Sequence, residues 1–243
     1  MIILKGKRAV KEALLSNNAL ERIIVSHKSQ YSFDIKELVK EATAQQIKVQ
    51  VLNEKEFAQL LPNETNTQGI VAYIQDIKNI GLKELINNKE KYPFVVAVDH
   101  LQDPYNFGAI LRTCEILGIA AVIYPKDRNC PITPGVIKAS SGAINHLDMI
   151  KVTNLAQSLK SLDDNGYWLF GADANNGVSL EDISVQAPLV LVVGNEQKGI
   201  SPRIQKMLHS SIIIPTSGKT DSLNVSVATG IITYSLAQKL KGQ

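Results

Sequence analysis

Residues 214–230 read IPTSGKTDSLNVSVATG, and what this stretch is decides the fold. It contains Gly218, Lys219 and Thr220, the tail of a phosphate-binding loop. A complete loop needs GxxxxGK followed by Ser or Thr, so that backbone amides cradle phosphate and the lysine reaches it. The upstream glycine would be residue 213, which is Ile213. The GxxxxG spacing does occur at Gly194 and Gly199, but Ile200 stands where the lysine is required. No GxGxxG occurs anywhere, so the dinucleotide fingerprint is missing too. A nucleotide-hydrolysing site is excluded, and the stretch has another job.

Its local pattern is a strand, SIIIP, ending at Pro215, then a polar turn, then a long helix. Val225, Ala228, Ile232, Leu236 and Leu240 make one apolar row of that helix, and Val227, Ile231 and Tyr234 make another. A helix apolar over so much of its girth is buried on more than one side, as against a second subunit. Lys239 and Lys241 sit at its C-terminal end, where the helix dipole favours cations.

Working outward, residues 93–243 alternate apolar strands with helices. FVVAVD is a near-continuous apolar run, as a strand buried on both faces should be. AAVIYP, LDMIKV, YWLFGAD, LVLVVG and SIIIP follow, with helices from about Asn106, near Thr133, from Thr153 and after Ser201. The alternation predicts an α/β domain with a parallel sheet and helices on both faces. Ligands of such sheets bind beyond the carboxyl ends of strands. That rule points to 99–112, 194–199 and 215–224. In the first segment Asn106 is positioned to cap the helix, Gly108 allows close approach of a neighbour, and Arg112 and Glu115 share a face.

Residues 1–74 form a smaller α/β unit: GKRAVKEALLS and FDIKELVKEATAQ read as helices, LERIIVS, IKVQVL and GIVAYI as strands, and NEKEFAQLL as a helix opening at an Asn cap. Residues 75–92 are polar with few apolar anchors and read as a linker containing one short helix. The front 28 residues carry Lys5, Lys7, Arg8, Lys11, Arg22 and Lys28 against Glu12 and Glu21, a local basic excess in a chain whose net charge is only +3.

Composition bounds the rest. The 243 residues are 44% hydrophobic and 20% charged, ordinary for a globular protein. No apolar run is long enough to span a bilayer, and MIILKGKRAVKEALL has no signal-peptide core, so a cytoplasmic protein is expected. Cys114 and Cys130 are not at metal spacing, and His27, His100, His146 and His209 are scattered; no metal is expected.

Taken together, NFGAILR, VVGNEQKGI and IPTSGKTDSLNVSVA resemble, in order, the three motifs of the SpoU/TrmH branch of the SPOUT RNA ribose 2′-O-methyltransferases. The front unit, LKGKRAVKEALL through TQGIVAYI, resembles the ribosomal-protein-like substrate-binding domain of the RlmB-type enzymes, although Thr67 stands where many relatives carry histidine. The resemblance implies a deep C-terminal trefoil knot, S-adenosylmethionine as methyl donor, a homodimer packed through the knot helices, and a guanosine of large-subunit ribosomal RNA as target. Transfer RNA is the alternative, and a non-catalytic RNA-binding assembly protein the remote one. Carried over by motif position, Arg112, Asn106, Glu196, Asn224 and Ser222 are the catalytic candidates, and Gly194, Ile214 and Leu223 the donor-binding ones. The family proposal makes the Arg112 position a general base; its high pKa suits a phosphate and oxyanion clamp better. Lys219 becomes a rim charge near RNA.

Overall fold

The computed structural model describes residues 2–15, 20–62, 66–74, 77, 79–174, 176–218 and 222–242. The chain opens with β1 (Ile2–Lys5), α1 (Lys7–Leu15), β2 (Leu20–Ser26), α2 (Phe33–Ala44), β3 (Lys48–Leu52), α3 (Glu54–Leu60) and β4 (Ile70–Ile74). These strands form a four-stranded sheet in the order β1-β4-β2-β3, with β2 and β3 parallel and β4 antiparallel to both β1 and β2. The Asn cap read at α3 is a full capping box: Asn53 accepts from the Glu56 amide and Glu56 reaches back to the Asn53 amide. Strand β1 was not legible, because four residues pair only with β4, some seventy positions away.

The segment 79–92 carries the one short helix expected of it, but more buried side chains than a polar connection suggests. It holds α4 (Leu82–Asn87), and Leu85 and Tyr92 are fully buried. Asn79 bridges Met149, and the Ile80 amide donates to the Met149 carbonyl at 3.0 Å. Leu82, Leu85 and Ile86 give the short helix one apolar face, and with Ile80 they fasten this stretch to the core of the larger sheet.

That sheet is built from β5 (Phe94–Val98), α5 (Pro104–Ile116), β6 (Ala121–Pro125), α6 (Pro134–Ala139), β7 (Asp148–Val152), α7 (Leu155–Asp163), β8 (Trp168–Ala172), β9 (Val178–Ser179), β10 (Leu189–Val193), α8 (Pro202–Gln205), β11 (Ser210–Ile213) and α9 (Val225–Lys241). Its seven strands run β7-β6-β5-β10-β8-β11-β9, and every pairing is parallel, as the alternation predicts. Period-two geometry sends Val96, Val98, Leu191 and Val193 into the core under α5 and α9, and Val95, Ala97, Val190 and Val192 into the core on the opposite face. The first of these cores runs without a break into the front unit, through Val10 and Leu14 of α1, which packs against α6. Gly108 is where α5 meets α6: a Cβ there would strike the Ala139 methyl and lie 2.7 Å from the Val136 carbonyl.

Candidate active site

Strand carboxyl ends are where a parallel sheet leaves backbone groups and loops free, and a cleft of about 800 Å³ opens there. Its walls come from the ends of β8, β10 and β11 and from the start of α9. Of the sequence candidates, Gly194, Glu196, Ile214, Ser222, Leu223 and Asn224 line it.

The loop after β5 is capped differently from the sequence expectation. Asp103, not Asn106, caps α5: its carboxylate accepts from the Tyr105 and Asn106 amides at 3.3 and 3.0 Å. Pro104 explains the shift, since proline suits the first helical position and moves the cap one residue upstream of it. Asn106 is thereby freed. Its Nδ2 donates to Glu196 Oε1 at 3.1 Å, and its Oδ1 accepts from Asn224 Nδ2 at 3.0 Å. One asparagine thus joins its own segment to two loops that lie 90 and 118 residues away. Asn224 also caps α9, its Oδ1 accepting from the Ser226 amide at 2.9 Å. That fixes which end of the Asn224 amide faces Asn106, so the donors run from Asn224 through Asn106 to the carboxylate. The second oxygen of Glu196 has no partner among the described residues.

Loop 194–200 is held from below. Asn195 Oδ1 accepts the Gln197 and Lys198 amides, and its Nδ2 donates to the His100 carbonyl at 3.0 Å. Buried Asp99 accepts the Ser201 amide at 2.7 Å. Gly194 is required for a reason other than ligand approach. A Cβ there would collide with the Gly199 carbonyl carbon and the Ile200 amide, so the loop's own return occupies that space.

Arg112 is the candidate that the fold keeps apart from this junction. It is exposed, six residues along α5 from Asn106, and its Nη1 donates to Ser141 Oγ at 3.3 Å, just past α6. No ion pair with Glu115 forms among the described residues. Lys219, Thr220 and Asp221 lie outside the described residues.

The sequence reading missed one wall of the cleft, Asp173, Ala174 and Asn176 after β8, together with Gln205. Gln205 Nε2 donates to Asp173 Oδ2 at 3.2 Å and to Ser211 Oγ at 2.9 Å, tying α8 to two strands. The signal was available, since GADANNG follows a strand of the same parallel set. The cysteines offer no nucleophile. Burial pushes the Cys114 thiol up to about 12, and burial with Asp103 nearby raises Cys130 as well. Among the described residues no cluster could hold a metal ion, and no helix is long and apolar enough to cross a membrane.

Residues 93–234 match the model of the SpoU rRNA methylase family, and residues 3–79 match that of the RNA 2′-O ribose methyltransferase substrate-binding domain. The chain belongs to the SpoU/TrmH family of RNA methyltransferases. A relative from Staphylococcus epidermidis, assigned to the TrmH family of tRNA/rRNA methyltransferases, is 35% identical over 98% of this chain and 96% of its own length. Among solved structures, an AdoMet-bound rRNA methyltransferase from Sinorhizobium meliloti shares the fold with a TM-score of 0.66 at 22% identity, covering 98% of this chain and 87% of that one. The TrmH/SpoU tRNA-modifying enzyme of A. aeolicus is 32% identical with a TM-score of 0.56, but covers only 65% of this chain and 81% of its own. Within this family member, Asn106 ties the segment of the first motif to the two later motif segments, which line the cleft.

Proposed function

We propose that this chain transfers a methyl group from S-adenosylmethionine to a ribose 2′-oxygen, that of a guanosine in large-subunit ribosomal RNA. The observation that carries the reading is the Asn106–Glu196–Asn224 junction at the mouth of the cleft. In this reading residues 1–74 bind the RNA, 75–92 connect, and 93–243 catalyse.

The cleft fits the donor. Its volume of about 800 Å³ is within the range of small-ligand sites, and Ile200, Ile214, Leu223, Val225 and Ile232 offer aliphatic surface for a purine. Asp173 and Glu196 supply carboxylates suited to a cation. When bound, the donor supplies an electrophilic methyl on a sulfonium sulfur. Gly194, Ile214 and Leu223 hold its adenosine part through backbone groups and aliphatic side chains. Ser222 contacts donor or substrate at the rim.

A ribose hydroxyl needs a proton acceptor, and a guanidinium that keeps its proton above a pH of about 12 is a poor one. Glu196 is better suited, because Asn106 orients its carboxylate and one oxygen stays open to the cleft. Arg112 then acts as a clamp for phosphate and for the developing oxyanion. Asn224 locks the orientation of Asn106.

Two further elements of the reading concern assembly and topology. Val227, Ile231 and Tyr234, the second apolar row of α9, are 49%, 40% and 56% exposed, which supports a second copy packing there. Sedimentation of the purified protein as a monomer would end that element. A trefoil knot in the C-terminal part is assigned by resemblance, and slow refolding from denaturant is its expected signature.

The ribosomal target is supported by coverage: the likeness to an rRNA methyltransferase extends over 98% of the chain, that to tRNA-modifying enzymes over 65% and 62%. Mapping ribose methylation in RNA from a strain lacking the gene tests it. Loss of one mark in large-subunit rRNA is expected; loss of a tRNA mark instead would give the alternative. Calorimetric titration with S-adenosylmethionine tests the chemistry, and absence of binding would favour a non-catalytic assembly protein.

A further inference from the structure

The front unit carries a surface that the donor cleft does not explain. Loop 27–33 leaves the carboxyl end of β2 through a short 3₁₀ turn, Ser29–Tyr31, and enters α2. Tyr31 is 64% exposed and Phe33 74% exposed, on either side of Ser32. His27, also exposed, meets the Tyr31 ring edge-on with centroids 5.8 Å apart. Three rings on one turn, none buried, are a poor use of apolar area in an isolated unit, and clustered exposed aromatics mark binding surfaces.

The loop is held firmly, so the rings are presented rather than loose. The Ser26 and Ser29 hydroxyls pair at 3.0 Å, and the Ser26 amide donates to the Gly69 carbonyl at 2.9 Å. Gly69 has φ +73°, and any Cβ there would strike the Ser29 side chain, so loop 66–69 closes directly on loop 27–33. Gln68 of the same loop accepts the Lys7 amide at 3.0 Å, which brings in the start of α1. The Lys7 ammonium reaches back to Ser32 Oγ at 3.3 Å and to Asp34 at 2.8 Å. Three loops therefore converge on the rings.

Of the charges around them, Lys7 is paired with Asp34 and Arg8 with Glu12, which leaves Lys28 and Lys36 as cations without an ion pair among the described residues. Lys7 neutralises Asp34, and its hydrogen bond and charge hold that carboxyl below the usual range. Glu54 is engaged by the Lys28 amide at 2.9 Å. Lys28 and Lys36 are exposed, Lys28 three residues before Tyr31 and Lys36 one helical turn after Phe33. Exposed rings between cations suit unpaired nucleotides, whose bases stack while lysines meet the phosphates; a fully paired helix offers no free base face.

We propose that Tyr31 and Phe33, with Lys28 and Lys36 beside them in the chain, form a stacking platform for unpaired bases of the RNA substrate, so that the front unit selects a loop or bulge rather than a duplex. This rests on the RNA-methyltransferase reading and adds the kind of RNA structure that the front unit takes.

The test uses the full chain and two fluorescently labelled RNA probes of equal length, a hairpin with a long unpaired loop and a fully paired duplex, read by anisotropy. The hairpin should bind at least tenfold tighter. Tyr31→Ala with Phe33→Ala should weaken hairpin binding by roughly tenfold or more and leave duplex binding unchanged. Tyr31→Phe, which keeps the ring, should restore it in the single-site comparison with Tyr31→Ala. Lys28→Ala should weaken both probes and lower the salt dependence. Wild-type-like hairpin binding by the double variant, or equal losses on both probes, would overturn the platform. S-adenosylmethionine binding, read by calorimetry, separates the two proposals. A protein that binds the donor but does not prefer the hairpin sinks only the platform. One that prefers the hairpin through these rings but binds no donor sinks only the enzymatic reading.

Discussion

The two ends of the seven-stranded sheet solve the same problem in opposite surroundings. At the amino ends, segments distant in sequence are joined by a clasp that is buried apart from half-exposed Lys91. The Tyr92 hydroxyl donates to Asp148 at 2.7 Å and accepts from Lys91, which also reaches Asp148 at 3.0 Å. The Tyr167 hydroxyl donates to the Tyr92 carbonyl at 3.2 Å. Tyr92, Tyr167 and Asp148 are all buried. At the carboxyl ends, Asn106, Glu196 and Asn224 are joined just as specifically, but in contact with water. A buried polar link stabilises because breaking it strands a desolvated group, whereas an exposed one can be remade with solvent. The first kind supports the fold. On the proposed reading, the second exchanges its partners for a substrate.

The contrast is open to attack. Its most severe test is Arg112→Lys, expected to lower single-turnover methylation by more than ~100-fold while the melting temperature moves by less than ~2 °C, since a lysine cannot reproduce a bidentate phosphate clamp. A large fall in melting temperature would make Arg112 part of the framework. Next, Asn106→Ala should cost roughly 30-fold or more in turnover with little change in stability. Asn224→Ala should match that loss and also destabilise by about 1 kcal/mol, because it removes the α9 cap. Chemical denaturation of the two variants side by side separates those roles. At the opposite end, Tyr92→Phe should cost about 1–3 kcal/mol of stability and leave turnover intact. The comparison fails if it slows methylation instead.

The smallest effect is on pH. Burial, with Tyr92 nearby, moves the Tyr167 hydroxyl from its ordinary value of 10.0 up to about 12. A phenol that binds its proton more tightly in the native state contributes fully below about pH 10, and that contribution fades as pH climbs toward about 12. Lys91, raised by its bonds to Tyr92 and Asp148, adds a loss in the same direction. Denaturation midpoints should therefore fall across this window, and Tyr167→Phe should flatten the fall by something on the order of 1–2 kcal/mol.

The strands of the larger sheet were legible because burial on both faces leaves uninterrupted apolar runs, Val95 to Val98 and Leu189 to Val193 being the clearest. The Asn53 cap was legible because its chemistry is local. What escaped was set by distant partners. The two-residue β9 exists only because β11 lies beside it. Leu85 and Tyr92 looked like isolated anchors in a polar stretch, and only the fold reveals the core that receives them. At the site, motif resemblance picked out the junction residues, while capping propensity put the cap on Asn106, since Asp103 and Asn106 are both good cap residues and Pro104 decides between them. The six-residue spacing of NFGAILR already sets Arg112 well along the helix from Asn106; its contact with Ser141 was what the motif could not show.

The unbroken apolar core from α1 to α9 carries a last implication. On the proposed reading, two sheets that share one interior would act as a caliper with its jaws set. An RNA loop seated at the front unit would meet the methylating cleft at one fixed span, and the nucleotide lying at that span would be chosen by measurement, without its own base being read.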